Sequence, residues 1–179
     1  MRKRTALTLL TLISGAIAVL AIGSYATADS GKKNVNTGPM TGYLEGAPGG
    51  PVSSSANGSF EATIDDAASE ISYTLTYADL EAPVLFAHIH FGERGVNGGV
   101  AAFLCGGGSK PACPQSGTVT GTIVPADVVG PAGQGIAAGE FDELVAAIRA
   151  GRAYANVHST KFPAGEVRGQ INDDNQRDD

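Results

Sequence analysis

From Gly58 onward the chain runs in short alternations of apolar and polar residues. Glu70 to Tyr77 is the clearest. Ile71, Tyr73, Leu75 and Tyr77 fall on one parity, and Ser72, Thr74 and Thr76 on the other. Period two is the mark of a strand with one face buried, which places Tyr73 and Tyr77 in the core or at its rim. Gly58–Ile64, Val84–Phe91, Gly99–Leu104, Gly117–Val124, Arg152–Ser159 and Glu166–Ile171 read the same way, and a first strand is expected near Met40 to Glu45. Gly, Pro and Asn punctuate these runs, with Asn97-Gly98 the sharpest turn signal. One segment keeps a different period. Phe141, Leu144, Val145 and Ile148 recur at helical spacing between Gly139 and Gly151, which predicts a short helix over Phe141–Ala150. Seven or eight short strands and one helix indicate an all-β fold, an antiparallel sandwich or barrel.

Three strands break the apolar pattern in matching phase. His88 and His90 share a face, with Ala87, Ile89 and Phe91 on the other. Asn156 shares a face with His158, and Glu166 with Arg168 and Gln170, leaving Ile89, Val157, Val167 and Ile171 for the core. If these strands are neighbours, the polar positions merge into one cluster. Three readings of it stand open: a metal site on His88, His90 and His158; a structural network of Asn156, Glu166, Arg168 and Gln170, with Arg168 paired to Glu166 or to the C-terminal Asp residues; and a solvated sheet face. Neutral imidazoles suit copper, zinc, nickel or iron, and three of them leave a coordination position open.

Charge and composition narrow the setting. Arg2, Lys3 and Arg4 precede the uncharged run Ala6–Gly23, and Ala26-Thr27-Ala28 follows. This is the layout of a signal peptide over 1–28, cleaved after Ala28. The run is long enough for an uncleaved membrane anchor to be the alternative. Residues 29–38 then form a flexible leader, 39–171 the domain, and 172–179 a disordered acidic tail. Export removes three of the twelve basic residues and none of the eighteen acidic ones, leaving a charge near −9, which argues against nucleic acid as a partner. Cys105 and Cys113, the two cysteines, are expected to form a disulfide in an oxidising compartment. The sequence contains no G-x-S-x-G, P-loop or H-E-x-x-H, and the pairs Asp65-Asp66 and Asp173-Asp174 read as turn and tail. A non-enzymatic role is therefore favoured.

Ala87-His88-Ile89-His90-Phe91-Gly92, Gly95-Val96-Asn97-Gly98, Tyr154-Ala155-Asn156-Val157-His158-Ser159 and Pro163-Ala164-Gly165-Glu166-Val167-Arg168-Gly169-Gln170-Ile171 together resemble the CHRD domain first described in chordin. The resemblance covers residues 39–171. It implies a Greek-key or immunoglobulin-like β-sandwich or barrel, secretion or another extracytoplasmic location, and a binding or structural role toward an extracellular protein or cell-surface component. The cysteine-rich modules with which chordin binds growth factors are absent from this sequence. A weaker likeness is to copper/zinc superoxide dismutases, where an H-V-H strand, a later V-H strand and an arginine near the C terminus occur in the order of His88, His90, His158 and Arg168. That likeness implies copper before zinc as a cofactor at a mononuclear three-His site. No His lies between 90 and 158, so the bridging histidine and zinc loop of that family have no counterpart.

Overall fold

In the computed structural model the described residues are 31–46 and 48–173. The signal peptide expected over 1–28 and the tail beyond 173 lie outside them. Eight strands form one antiparallel sheet: β1 (Lys32–Thr41), β2 (Asn57–Asp65), β3 (Glu70–Ala78), β4 (Val84–Phe91), β5 (Gly99–Cys105), β6 (Gly117–Ile123), β7 (Ala153–Ser159) and β8 (Val167–Asp173), in the order β5-β4-β7-β8-β1-β2-β3-β6. Among the described residues the α-helix is α1 (Phe141–Arg149).

The sheet curls into a nearly closed barrel, so its two edge strands approach each other. The Tyr73 hydroxyl on β3 donates to the Leu104 carbonyl on β5 at 2.6 Å, spanning the seam. The Cys105–Cys113 disulfide ties the end of β5 to the segment leading into β6, and Lys110 pairs with Asp127 at 2.8 Å beside it. The interior takes one parity from every strand. Phe60, Ile64, Ile71, Leu75, Ile89, Leu104, Val157, Val167 and Ile171 are all buried there, including the four residues that alternation had assigned to the core around the histidine strands. Each large aliphatic side chain so buried contributes about 1.5–3 kcal/mol relative to exposure. The helix adds Phe141, Leu144, Val145 and Ile148 to the same core. Asp142 and Glu143 sit in its first turn and Arg149 in its last, as its dipole favours.

Two boundaries differ from expectation. The leader expected to be flexible is strand from Lys32 onward, because Lys32 to Asn36 pair with Asp65 to Glu61 on β2. The apolar pattern is weak there because the strand carries a bulge between Asn36 and Pro39. Gly38 takes the left-handed conformation the bulge needs, with φ of 61°. The expected strand Met40–Glu45 ends at Thr41 and gives way to a tight turn, Gly42–Leu44. At the other end β8 runs to Asp173, two residues into the expected tail.

Candidate metal centre

The topology makes β4, β7 and β8 consecutive neighbours. The register places Phe86 opposite His158, His88 opposite Asn156 and His90 opposite Tyr154. On the far side of β7, Asn156 faces Arg168 and Tyr154 faces Gln170. The outward face of these strands is therefore a lattice of polar and aromatic side chains. It is not solvated: His88 and His158 retain 4% of their surface, His90 7% and Arg168 1%. The exposed-face reading of the histidines is thus corrected.

Two loops roof the lattice. The segment 92–98, between β4 and β5, is held down by Arg168, whose Nη2 donates to the Glu93 carbonyl at 2.7 Å and Nη1 to the Val96 carbonyl at 2.9 Å. Gln170 Nε2 donates to the carbonyls of Gly92 and Gly151, both at 2.9 Å. The Gly98 N–H donates to the Tyr154 hydroxyl at 3.1 Å. The Tyr154 ring has two partners, with the Arg168 guanidinium 3.4 Å from its centroid and His90 stacked 4.8 Å away. The second roof follows β1 and contains Glu45. Its carboxylate accepts from Asn156 Nδ2 at 2.9 and 3.0 Å. Gly46 is required at this crossing, since a Cβ there would come within 2.8 Å of Arg168 Nη1 and of Gly95 and Val96 backbone. Gly165 is required below it, with φ of 136° and only 2.7 Å between a Cβ and the Glu45 carboxylate.

Arg168 does not pair with Glu166. Glu166 precedes β8, fully buried, and its Oε1 accepts from Ser54 Oγ at 2.7 Å and from the Glu81 N–H at 2.8 Å. Arg168 instead satisfies loop carbonyls and faces Glu45. Desolvation by burial raises the Glu45 carboxyl to about 7, against the opposing pull of Arg168 and the Asn156 hydrogen bond.

The three histidines converge within this roofed space. One ring nitrogen from each lies within 4.8 Å of the others. His88 Nδ1 and His158 Nε2 are 3.2 Å apart. His90 Nδ1 faces the Gly98 carbonyl at 3.0 Å and His158 Nδ1 the Pro163 carbonyl at 3.1 Å. A carbonyl only accepts, so both of these nitrogens carry the proton and both Nε2 atoms present lone pairs when the rings are neutral. Burial keeps them neutral. It lowers His88 to about 3, helped by His158 and His90, and lowers His90 and His158 to about 4. His88 Nε2 and His90 Nε2 are buried without a hydrogen-bond partner. Phe86 and Phe103 wall the cluster, their ring centroids 4.7 and 4.4 Å from that of His88.

The sequence pattern identified His88, His90, His158, Asn156, Arg168 and Gln170 as one cluster, and the fold brings them together. Glu166 lies at its margin. Glu45, Tyr154, Phe86 and Phe103 were not in that set. One signal for Glu45 was present: it is the lone charged residue between Lys33 and Glu61.

No curated protein and no solved structure matches the chain. A family model does, that of the CHRD domain, over residues 39–171. That span holds six whole strands, most of β8, the helix and every residue of the roofed lattice, and the chain belongs to the CHRD domain family.

Proposed function

We propose that this CHRD-domain protein is exported and acts outside the cytoplasm as a non-enzymatic binding protein, its ligand a single transition-metal ion, copper before zinc, held by His88, His90 and His158. The observation that carries the reading is the pair of buried ring nitrogens on His88 and His90 that lack any partner. Leaving a buried polar atom unpaired costs about 1–3 kcal/mol. A purely structural network accounts for Arg168, Gln170 and the Asn156 amide nitrogen, whose bonds are made. It does not account for the bare Nε2 atoms of His88 and His90. The donor set suits copper or zinc, and the carbonyls of Gly98 and Pro163 fix two rings with Nε2 as the lone-pair nitrogen, the outer-sphere support that metal-binding histidines use; the His90 Nε2 lone pair is bare and that of His158 faces His88 Nδ1. One ring nitrogen from each of the three histidines lies within 4.8 Å of the others, a grouping able to hold a single ion.

Export is supported by the amino-terminal charge, apolar run and A-x-A site, by the disulfide, and by the extracellular character of the family. Dismutase chemistry is not carried over, since no bridging histidine is present. Growth-factor antagonism is not carried over either.

The test is a metal titration of the exported, purified protein with copper and zinc, in wild type and His158→Ala. One equivalent should bind the wild type, and the variant should lose about 100-fold or more in affinity. Metal no higher than trace, with no affinity tighter than about micromolar, contradicts the reading. Amino-terminal sequencing of the exported protein should begin at Asp29; recovery of Met1 in a membrane fraction would establish the anchor instead.

A further inference from the structure

We infer that the three-histidine site selects the monovalent cuprous ion over divalent zinc or copper. The inference rests on the metal-binding reading and goes beyond it by naming the oxidation state. Three features of the site carry it. First, the ligand set is three neutral imidazoles, with no carboxylate or thiolate of the described residues within the cluster to offset ionic charge. Second, the surroundings are buried and aromatic: His88 contacts Phe86 and Phe103, His90 stacks on Tyr154, and all three rings are buried. The cost of moving an ion from water into such a medium rises with the square of its charge, so a dication pays about four times what a monocation of equal size does.

Third, a fixed positive charge acts on the site. The Arg168 guanidinium lies over the Tyr154 ring on which His90 stacks, and it acts on His90 electrostatically. Like charges in a low-dielectric site repel in proportion to the product of their charges, so Arg168 penalises a dication twice as much as a monocation. Of the two buried carboxyls at the lattice, Glu45 is engaged by Asn156 and faces Arg168 itself, and Glu166 is engaged by Ser54 and the Glu81 N–H. A closed-shell monovalent copper ion is also content with three nitrogen donors, whereas zinc in a three-histidine site takes a fourth ligand, ordinarily water. Phe86 and Phe103, the aromatic rings beside His88, offer such a water no hydrogen-bond partner.

The experiment is a competition titration of the purified mature protein. Cuprous ion is supplied anaerobically against a colorimetric cuprous chelator; zinc and cupric ions are titrated separately against divalent chelators. Cuprous affinity should exceed both divalent affinities by about 100-fold or more. The copper-loaded protein should lack a cupric paramagnetic resonance signal after exposure to a mild reductant, and regain one only slowly in air. Glu45→Gln removes the nearby carboxyl without touching a ligand and should widen the cuprous preference. Zinc or cupric ion binding as tightly as cuprous ion, with loss in His158→Ala, overturns this inference and leaves the metal reading intact. A narrower preference in Glu45→Gln overturns its electrostatic basis. Binding of none of the three ions overturns the metal reading itself.

Discussion

The outward face of the barrel is polar on both halves, yet the two halves behave differently. On β2, β3 and β6 the register lines up Thr63, Ser72 and Thr122, then Glu61, Thr74 and Thr120, then Ser59, Thr76 and Thr118. Ser72, Thr74, Thr76 and the three threonines of β6 are exposed, and a shallow hollow of about 440 Å³ lies over part of that face. Water satisfies these short hydroxyls. On β4, β7 and β8 the same parity carries His88, His90, Asn156, His158, Arg168 and Gln170, and two loops exclude water from them. Alternation alone does not separate the halves. Residue type does: long, multi-donor side chains reach loop carbonyls, whereas threonines cannot pin a loop. A solvated face tolerates any polar residue, and a roofed one specifies each partner.

The sharpest break of this comparison is acid. In the metal-free protein the three histidines hold pKa values near 3 to 4, depressed from 6.5 chiefly by burial. Between those values the unfolded chain binds protons that the folded one does not. Their stabilising contribution is therefore complete above pH 6.5 and is lost as pH falls toward 3, with a slope of up to about 1.4 kcal/mol per pH unit for each proton. Glu45 opposes this with one proton, since its raised value of about 7 makes the fold less stable as pH rises from 4.5 to 7. Three groups outweigh one, so the melting temperature should fall from pH 6.5 to pH 4. A flat profile across that window contradicts the burial of neutral imidazoles.

Next in size is Arg168→Met, which keeps much of the side chain's bulk but abandons the Glu93 and Val96 carbonyls and leaves Glu45 without its cation. Stranding two part-buried carbonyls costs about 1–3 kcal/mol each, measurable by urea unfolding. An unchanged midpoint would mean that the roof does not depend on Arg168. Glu45→Gln should be smaller and pH-dependent. It abolishes the penalty of ionising a buried carboxyl, so the variant should gain about 2–3 kcal/mol on wild type between pH 4.5 and pH 8. A pH-independent difference would place the titrating group elsewhere. Smallest is Thr74→Ala on the solvated half, expected within about 0.5 kcal/mol of wild type. A loss near that of Arg168→Met would erase the distinction between the two faces.

Much of this architecture was legible because period two survives in β3, β4 and β7, where Tyr73, Ile89 and Val157 face inward. The closing segment Glu166–Ile171 likewise announced Arg168 and Gln170 on one parity. β1 was less legible. Its bulge at Thr37-Gly38 and its Pro39 interrupt the alternation, and the pairing that holds it is supplied by β2 and β8. Glu45 was hidden for another reason. It lies in a Gly/Pro-rich segment that reads as a solvated loop, and its partner Asn156 is 111 residues away. Arg168 was assigned a carboxylate partner because sequence proximity favoured Glu166, whereas three-dimensional proximity gave it backbone carbonyls. Carbonyl acceptors leave no trace in a sequence.

The most direct test of the central claim is a crystal structure of the copper-soaked protein, with anomalous data collected on either side of the copper absorption edge. The account predicts a single peak bonded to His90 Nε2, His158 Nε2 and a ring nitrogen of His88, with Arg168 still stacked on Tyr154. Copper at other residues, or no peak between the three imidazoles under saturating copper, would contradict it.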